Sequence, residues 1–94
     1  MSYEPIEVSY SDSKLRILAE EYITQQKTEF TFKGVCNYIL YWAMEDGKTA
    51  KAQDSLYQSN ELQITDQERV RCVLDTIIRD GRIASVGGNV YRKL

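Results

Sequence analysis

A chain of 94 residues, 43% hydrophobic and 28% charged, has enough apolar content for one small core but not for two. With only 1 proline and 5 glycines it is neither collagen-like nor of low complexity, and it lacks a run of about 18 apolar residues that would span a membrane. The net charge of −2 excludes a surface that grips phosphate throughout, yet the charge is uneven: residues 1–64 hold 6 Lys/Arg against 10 Asp/Glu (net −4), and residues 65–94 hold 6 against 4 (net +2).

Residues 1–10 carry two glutamates and a proline rather than the apolar stretch of a signal peptide, so an intracellular location without membrane attachment is expected. Ile6, Val8 and Tyr10 alternate here, as in a short strand or a tail lying on the domain. From Ser11 or Ser13 as N-cap, Leu15, Leu18, Ala19, Tyr22 and Ile23 recur at helical spacing, which predicts a first helix over 11–27. Residues 29–32 are short and β-prone, and their natural partner is a hairpin at the C-terminus.

A second helix is expected over 32–44, with Phe32, Val35, Cys36, Ile39, Leu40 and Ala43 on its core face. Tyr38, Tyr41 and Trp42 lie off that stripe. Either neighbouring segments cover them, or they form an exposed aromatic patch for a protein partner or a second copy. Residues 45–64 open on a Glu-Asp-Gly turn and are polar; a long loop, part of it packed or a short helix near 49–57, is expected.

The closing third is the most sharply patterned. Thr65 and Glu68 have capping-box spacing, Val70, Val73, Leu74, Ile77 and Ile78 form a continuous stripe, and Gly81 stands where a left-handed cap ends a helix over 65–80. Gly87-Gly88 then separates two β-prone segments, predicting a hairpin over 82–94. Three helices closed by a small antiparallel hairpin make an α+β fold, a single winged helix-turn-helix domain.

The run Val73-Leu74-Asp75-Thr76-Ile77-Ile78-Arg79-Asp80-Gly81-Arg82-Ile83, with Val90-Tyr91-Arg92 on the returning strand, resembles winged-helix domains in the initiation subunit of eukaryotic RNA polymerase III. The likeness covers about a third of the chain, residues 65–94, and more loosely 32–40. It implies the winged-helix fold and a transcription-type module. That subunit is longer and carries several such domains.

Chemistry for catalysis is missing. The chain has no histidine, no glycine-rich phosphate loop and no CxxC spacing, so no enzyme activity, metal or cofactor is expected. Glu20-Glu21 and Glu45-Asp46 read as solvated charge, and Cys36 and Cys72 as buried thiols.

Two functions compete. As a DNA-binding module, a small transcriptional or mobile-element regulator, the domain would set its third helix in the major groove of duplex DNA. Gln67, Arg71 and Thr76 would then face base edges, Arg69, Arg79, Arg82, Arg92 and Lys93 would meet phosphates, and Asn89 would reach a groove from the wing tip. Against this, Arg71, Asp75 and Arg79 are spaced to neutralise one another, and Asp66, Glu68, Asp75 and Asp80 would repel phosphate. The alternative is a protein-interaction or dimerisation module acting through Tyr38, Tyr41 and Trp42.

Overall fold

A computed structural model of the chain describes residues 4–49 and 58–94. The elements follow in the order β1 (Glu4–Ile6), α1 (Asp12–Gln25), β2 (Glu29–Thr31), α2 (Phe32–Glu45), β3 (Gln58–Leu62), α3 (Ile64–Arg79), β4 (Ile83–Gly87) and β5 (Val90–Lys93). The three helices and the C-terminal hairpin have the winged helix-turn-helix arrangement, an α+β architecture.

Local chemistry starts each of the first two helices. The Ser11 side chain caps α1 by accepting from the Lys14 amide at 3.2 Å, and the Thr31 hydroxyl caps α2 by accepting from the Gly34 amide at 3.0 Å. The stripes then bury Leu15, Leu18, Val35, Ile39, Val70, Leu74 and Ile77 in one core. A Cβ at Gly34 would collide with the Tyr22 hydroxyl, so the glycine makes room for a side chain of α1 against α2.

At its other end α3 stops in a Schellman motif. Gly81 takes φ 76°, its amide donates to the Ile78 carbonyl, and the Arg82 amide donates to the Ile77 carbonyl. The wing turns at Gly87 and Gly88, both at positive φ. β5 is central in an antiparallel sheet of order β2-β5-β4, with Phe30 opposite Tyr91 and Ala84 opposite Arg92. Stacking of the Phe30 and Tyr91 rings, 5.5 Å apart, seats the sheet on the helices.

Four features depart from the sequence-based expectation. The segment 45–64, expected as loop or short helix, contains β3, which pairs in parallel with β1 through Ile6 and Leu62; the proposed packing of 50–57 lies outside the described residues. The Thr65 capping box does not form. β3 runs to Leu62, the Gln63 amide donates to the Ile6 carbonyl, and the helix starts at once, so Thr65 already lies within its first turn and Gln63 is the N-cap.

Cys72 is exposed while Cys36 is buried, because position 72 lies opposite the Val70–Leu74–Ile77 stripe around α3. Burial also pushes the Cys36 thiol up to about 12. Asp66, expected at the solvated start of α3, is only 4% exposed. Its carboxylate accepts the Val8 amide at 3.0 Å and Arg69 Nη1 at 3.1 Å, which fastens the N-terminal segment to α3.

Three outcomes follow. Asp66→Ala should destabilise the fold by about 3 kcal/mol, since it strands a buried amide and a partly buried guanidinium, and a loss under about 1 kcal/mol in denaturant titration would remove Asp66 as the fastener. Gly81→Ala has open space around it and should lose about 1–2 kcal/mol through backbone conformation alone. In a thiol titration of the native protein Cys72 should react and Cys36 should not until denaturant is added; equal reactivity would contradict the burial difference.

Candidate functional site

The surface that a winged helix presents to duplex DNA is the outer face of α3 together with the wing. Most of its candidate residues have intrachain partners. Gln67 is half-buried and donates from Nε2 to the Leu62 carbonyl at 2.8 Å. Thr76 also leans inward, donating to the Val73 carbonyl at 2.6 Å and accepting from Arg16 at 3.3 Å. Neither hydroxyl nor amide is presented outward for a base edge.

The cations follow suit. Arg69 bridges Asp12 at 2.9 Å and Asp66 at 3.1 Å and donates to the Tyr10 carbonyl. Arg82 pairs with Glu20 at 2.9 Å, Arg92 with Glu29 at 2.8 Å, and Lys93 donates to the Gln26 carbonyl at 2.9 Å. Arg16, which sequence reasoning did not single out, joins Glu20 to Asp80, and that contact holds the Asp80 carboxyl below its ordinary range.

The expected Arg71–Asp75–Arg79 ladder is absent among the described residues. Arg71 instead crosses to the wing, donating to Asn89 Oδ1 at 3.0 Å, with its guanidinium carbon 3.9 Å from the centre of the Phe32 ring. A cation stacked on an aromatic face and bonded to an amide is better satisfied than one in a solvated i,i+4 pair. Arg79 has no ion-pair partner among the described residues.

The second surface is the outer face of α2. Tyr41 is 56% exposed, Trp42 38% and Met44 52%, whereas Tyr38 is half-buried. The rings are fixed against one another: Tyr41 and Trp42 meet edge to face at 5.4 Å, and Trp42 meets Tyr38 at 6.4 Å. Tyr38 in turn lies 5.4 Å from Tyr22, and Tyr22 6.2 Å from Phe30, which stacks on Tyr91. A continuous row of rings therefore runs from the buried sheet to the exposed end of α2.

Carboxylates border this face. The Tyr38 hydroxyl donates to Glu21 Oε2 at 3.2 Å and accepts from Gln25 at 3.3 Å. Glu45 lies one turn beyond Tyr41 and Trp42, is exposed, and forms no ion pair among the described residues. Asp46, the C-cap of α2, accepts the Tyr10 hydroxyl at 2.6 Å; burial and this contact raise the phenol above its ordinary range.

A groove of about 530 Å³ between α1 and α3 is lined by Asp12, Arg16, Arg69, Cys72 and Thr76, whose arginines are already paired within the chain. Among the described residues no group of His, Cys, Asp and Glu is placed to hold a metal ion, and no helix is long and apolar enough to cross a membrane. In comparisons with protein-family models, with curated proteins and with solved structures, nothing matches the chain.

Proposed function

We propose that this domain is a protein-interaction winged helix that docks through the outer face of α2, around Tyr38, Tyr41 and Trp42. The observation that carries this is the row of rings from Tyr91 to Tyr41, which leaves two large aromatic side chains exposed yet held in place. An aromatic side chain already fixed by its neighbours loses little conformational freedom on binding, and such residues dominate interface energetics, at 2 kcal/mol or more on truncation for roughly the best of them.

The charge distribution supports the same assignment. Freeing Arg82 or Arg92 from its exposed partner costs under about 1 kcal/mol, which alone would not prevent phosphate binding. The stronger effect is that Glu20 stays beside Arg82, Glu29 beside Arg92 and Asp12 beside Arg69, so an approaching phosphate meets an anion within a few ångströms. Repulsion of about 1–4 kcal/mol per such encounter offsets most of what each contact would contribute.

Duplex DNA is the competing ligand, and one contact favours it. Arg71 and Asn89 join α3 to the wing tip, the two parts of a winged helix that straddle a duplex, and Arg79 ends the same helix two turns further on.

The two are separated by a duplex DNA titration at about 50 mM salt, run together with photo-crosslinking in the producing cells. Benzoylphenylalanine in place of Tyr41 should give a discrete protein adduct that is missing when it replaces Asp75, and DNA should not saturate below roughly 100 µM. Salt-sensitive DNA binding lost in Arg71→Ala and Arg79→Ala, with no adduct from position 41, would reverse the assignment.

A further inference from the structure

The acidic groups of this chain fall into two sets. Asp12, Glu20, Glu29, Asp66 and Asp80 are each paired with an arginine. Glu7, Asp46, Glu61, Glu68 and Asp75 form no ion pair among the described residues, and neither do Glu21 and Glu45, which border the aromatic face. Glu45 also sits at the C-terminal end of α2, where the helix presents its negative pole and the last turn holds no basic residue.

Lys48 follows Glu45 by three residues and is exposed, but it forms no ion pair with that carboxylate. Lys33 precedes Tyr41 by eight residues on α2, roughly 12 Å along the helix axis. Lys14 is placed over the ring of Tyr10, 6.0 Å from its centre. The result is a patch with exposed residues Tyr41, Trp42 and Met44 and two bordering carboxylates that form no ion pair. Aromatic faces and carboxylates attract the same class of group, an organic cation carried on an apolar stem.

Given the docking role of this face, we propose that its partner is a basic amphipathic segment of another protein. Its lysine or arginine heads pair with Glu21 and Glu45, and its apolar side chains and stems lie on Tyr41, Trp42 and Met44. Charge complementarity of this kind selects the partner and speeds its encounter, while the aromatic contacts supply most of the retention. The pairing weakens with salt because both carboxylates are near solvent.

Trp42 is the only tryptophan of the chain, so its emission reports on this face directly. The probes are two synthetic amphipathic peptides with the same leucine face, one with lysine and one with glutamate at every polar position, titrated into the full chain. The lysine peptide should shift Trp42 emission and saturate, and the glutamate peptide should bind at least about tenfold more weakly. Raising the salt to about 1 M should erase most of that difference.

In a Glu21→Gln/Glu45→Gln variant, checked for an unchanged melting transition, the preference should fall to about twofold or less. Equal binding of both peptides, or a preference that survives in the variant, overturns the basic-partner proposal; so does a concentration-dependent dimer that buries Trp42. In any of these cases a protein adduct from position 41 would leave the docking role standing. Loss of that adduct together with salt-sensitive DNA binding would remove both.

Discussion

The buried carboxylate of Asp66 is the constraint on which the arrangement of this domain depends. One oxygen takes the Val8 amide and the other takes Arg69, and Arg69 extends the network to the Tyr10 carbonyl and to Asp12, the first residue of α1. Residues far apart in the chain are thus held at the first turn of α3. An ionised group taken from water without such partners would lose several kcal/mol, so the network is stable only when the N-terminal segment is in place. That segment then delivers Ile6 to its parallel pairing beside Leu62 and Tyr10 to Asp46. Its presence fixes where α1 begins, where α3 begins, and how the turn after α2 is held.

This placement also governs the surface. Arginine is suited to bridging carboxylates because its fork offers several donors at fixed geometry, and here Arg16, Arg69, Arg82 and Arg92 hold α1, α3, the wing and β2 together. The mild excess of positive charge in the last third of the sequence is therefore largely consumed inside the domain. Arg71, Arg79, Glu68 and Asp75 on α3, and Glu45 at the end of α2, stay outside these ion pairs. The exposed aromatic pair Tyr41 and Trp42 lies on α2 rather than on the third helix, and the fold alone does not assign a function to either surface.

Features set by local chemistry are legible in the amino-acid sequence. The stripe of α3, the Gly81 stop and the Gly87-Gly88 turn all follow from periodicity and glycine conformation. Features set by distant partners are not. β3 reads Gln-Ser-Asn-Glu-Leu, without the β-branched residues that mark a strand, and exists through its pairing with β1. Asp66 has the sequence position of a first-turn acid and gives no local sign of the Val8 amide it binds. Arg69 and Gln67 resemble solvent-facing residues for the same reason. Tyr38, Tyr41 and Trp42 are visible as a departure from the α2 stripe, but neither their mutual edge-to-face packing nor the unpaired state of Glu45 has any sequence signature.

The stiffness of the α2 face originates away from that face. Gly34 lets α1 approach closely enough for the Tyr22 hydroxyl to sit over the α2 backbone, and Tyr22 in that position touches both Phe30 and Tyr38. Tyr38 is then held by Tyr22 on one side and by Glu21 and Gln25 at its hydroxyl, so it offers Trp42 a fixed edge rather than a rotating one. A side chain larger than hydrogen at position 34 would push Tyr22 away and loosen Tyr38. The buried helix crossing and the exposed aromatic pair are therefore parts of one mechanical unit, in which close packing inside the domain preorganises an exposed surface.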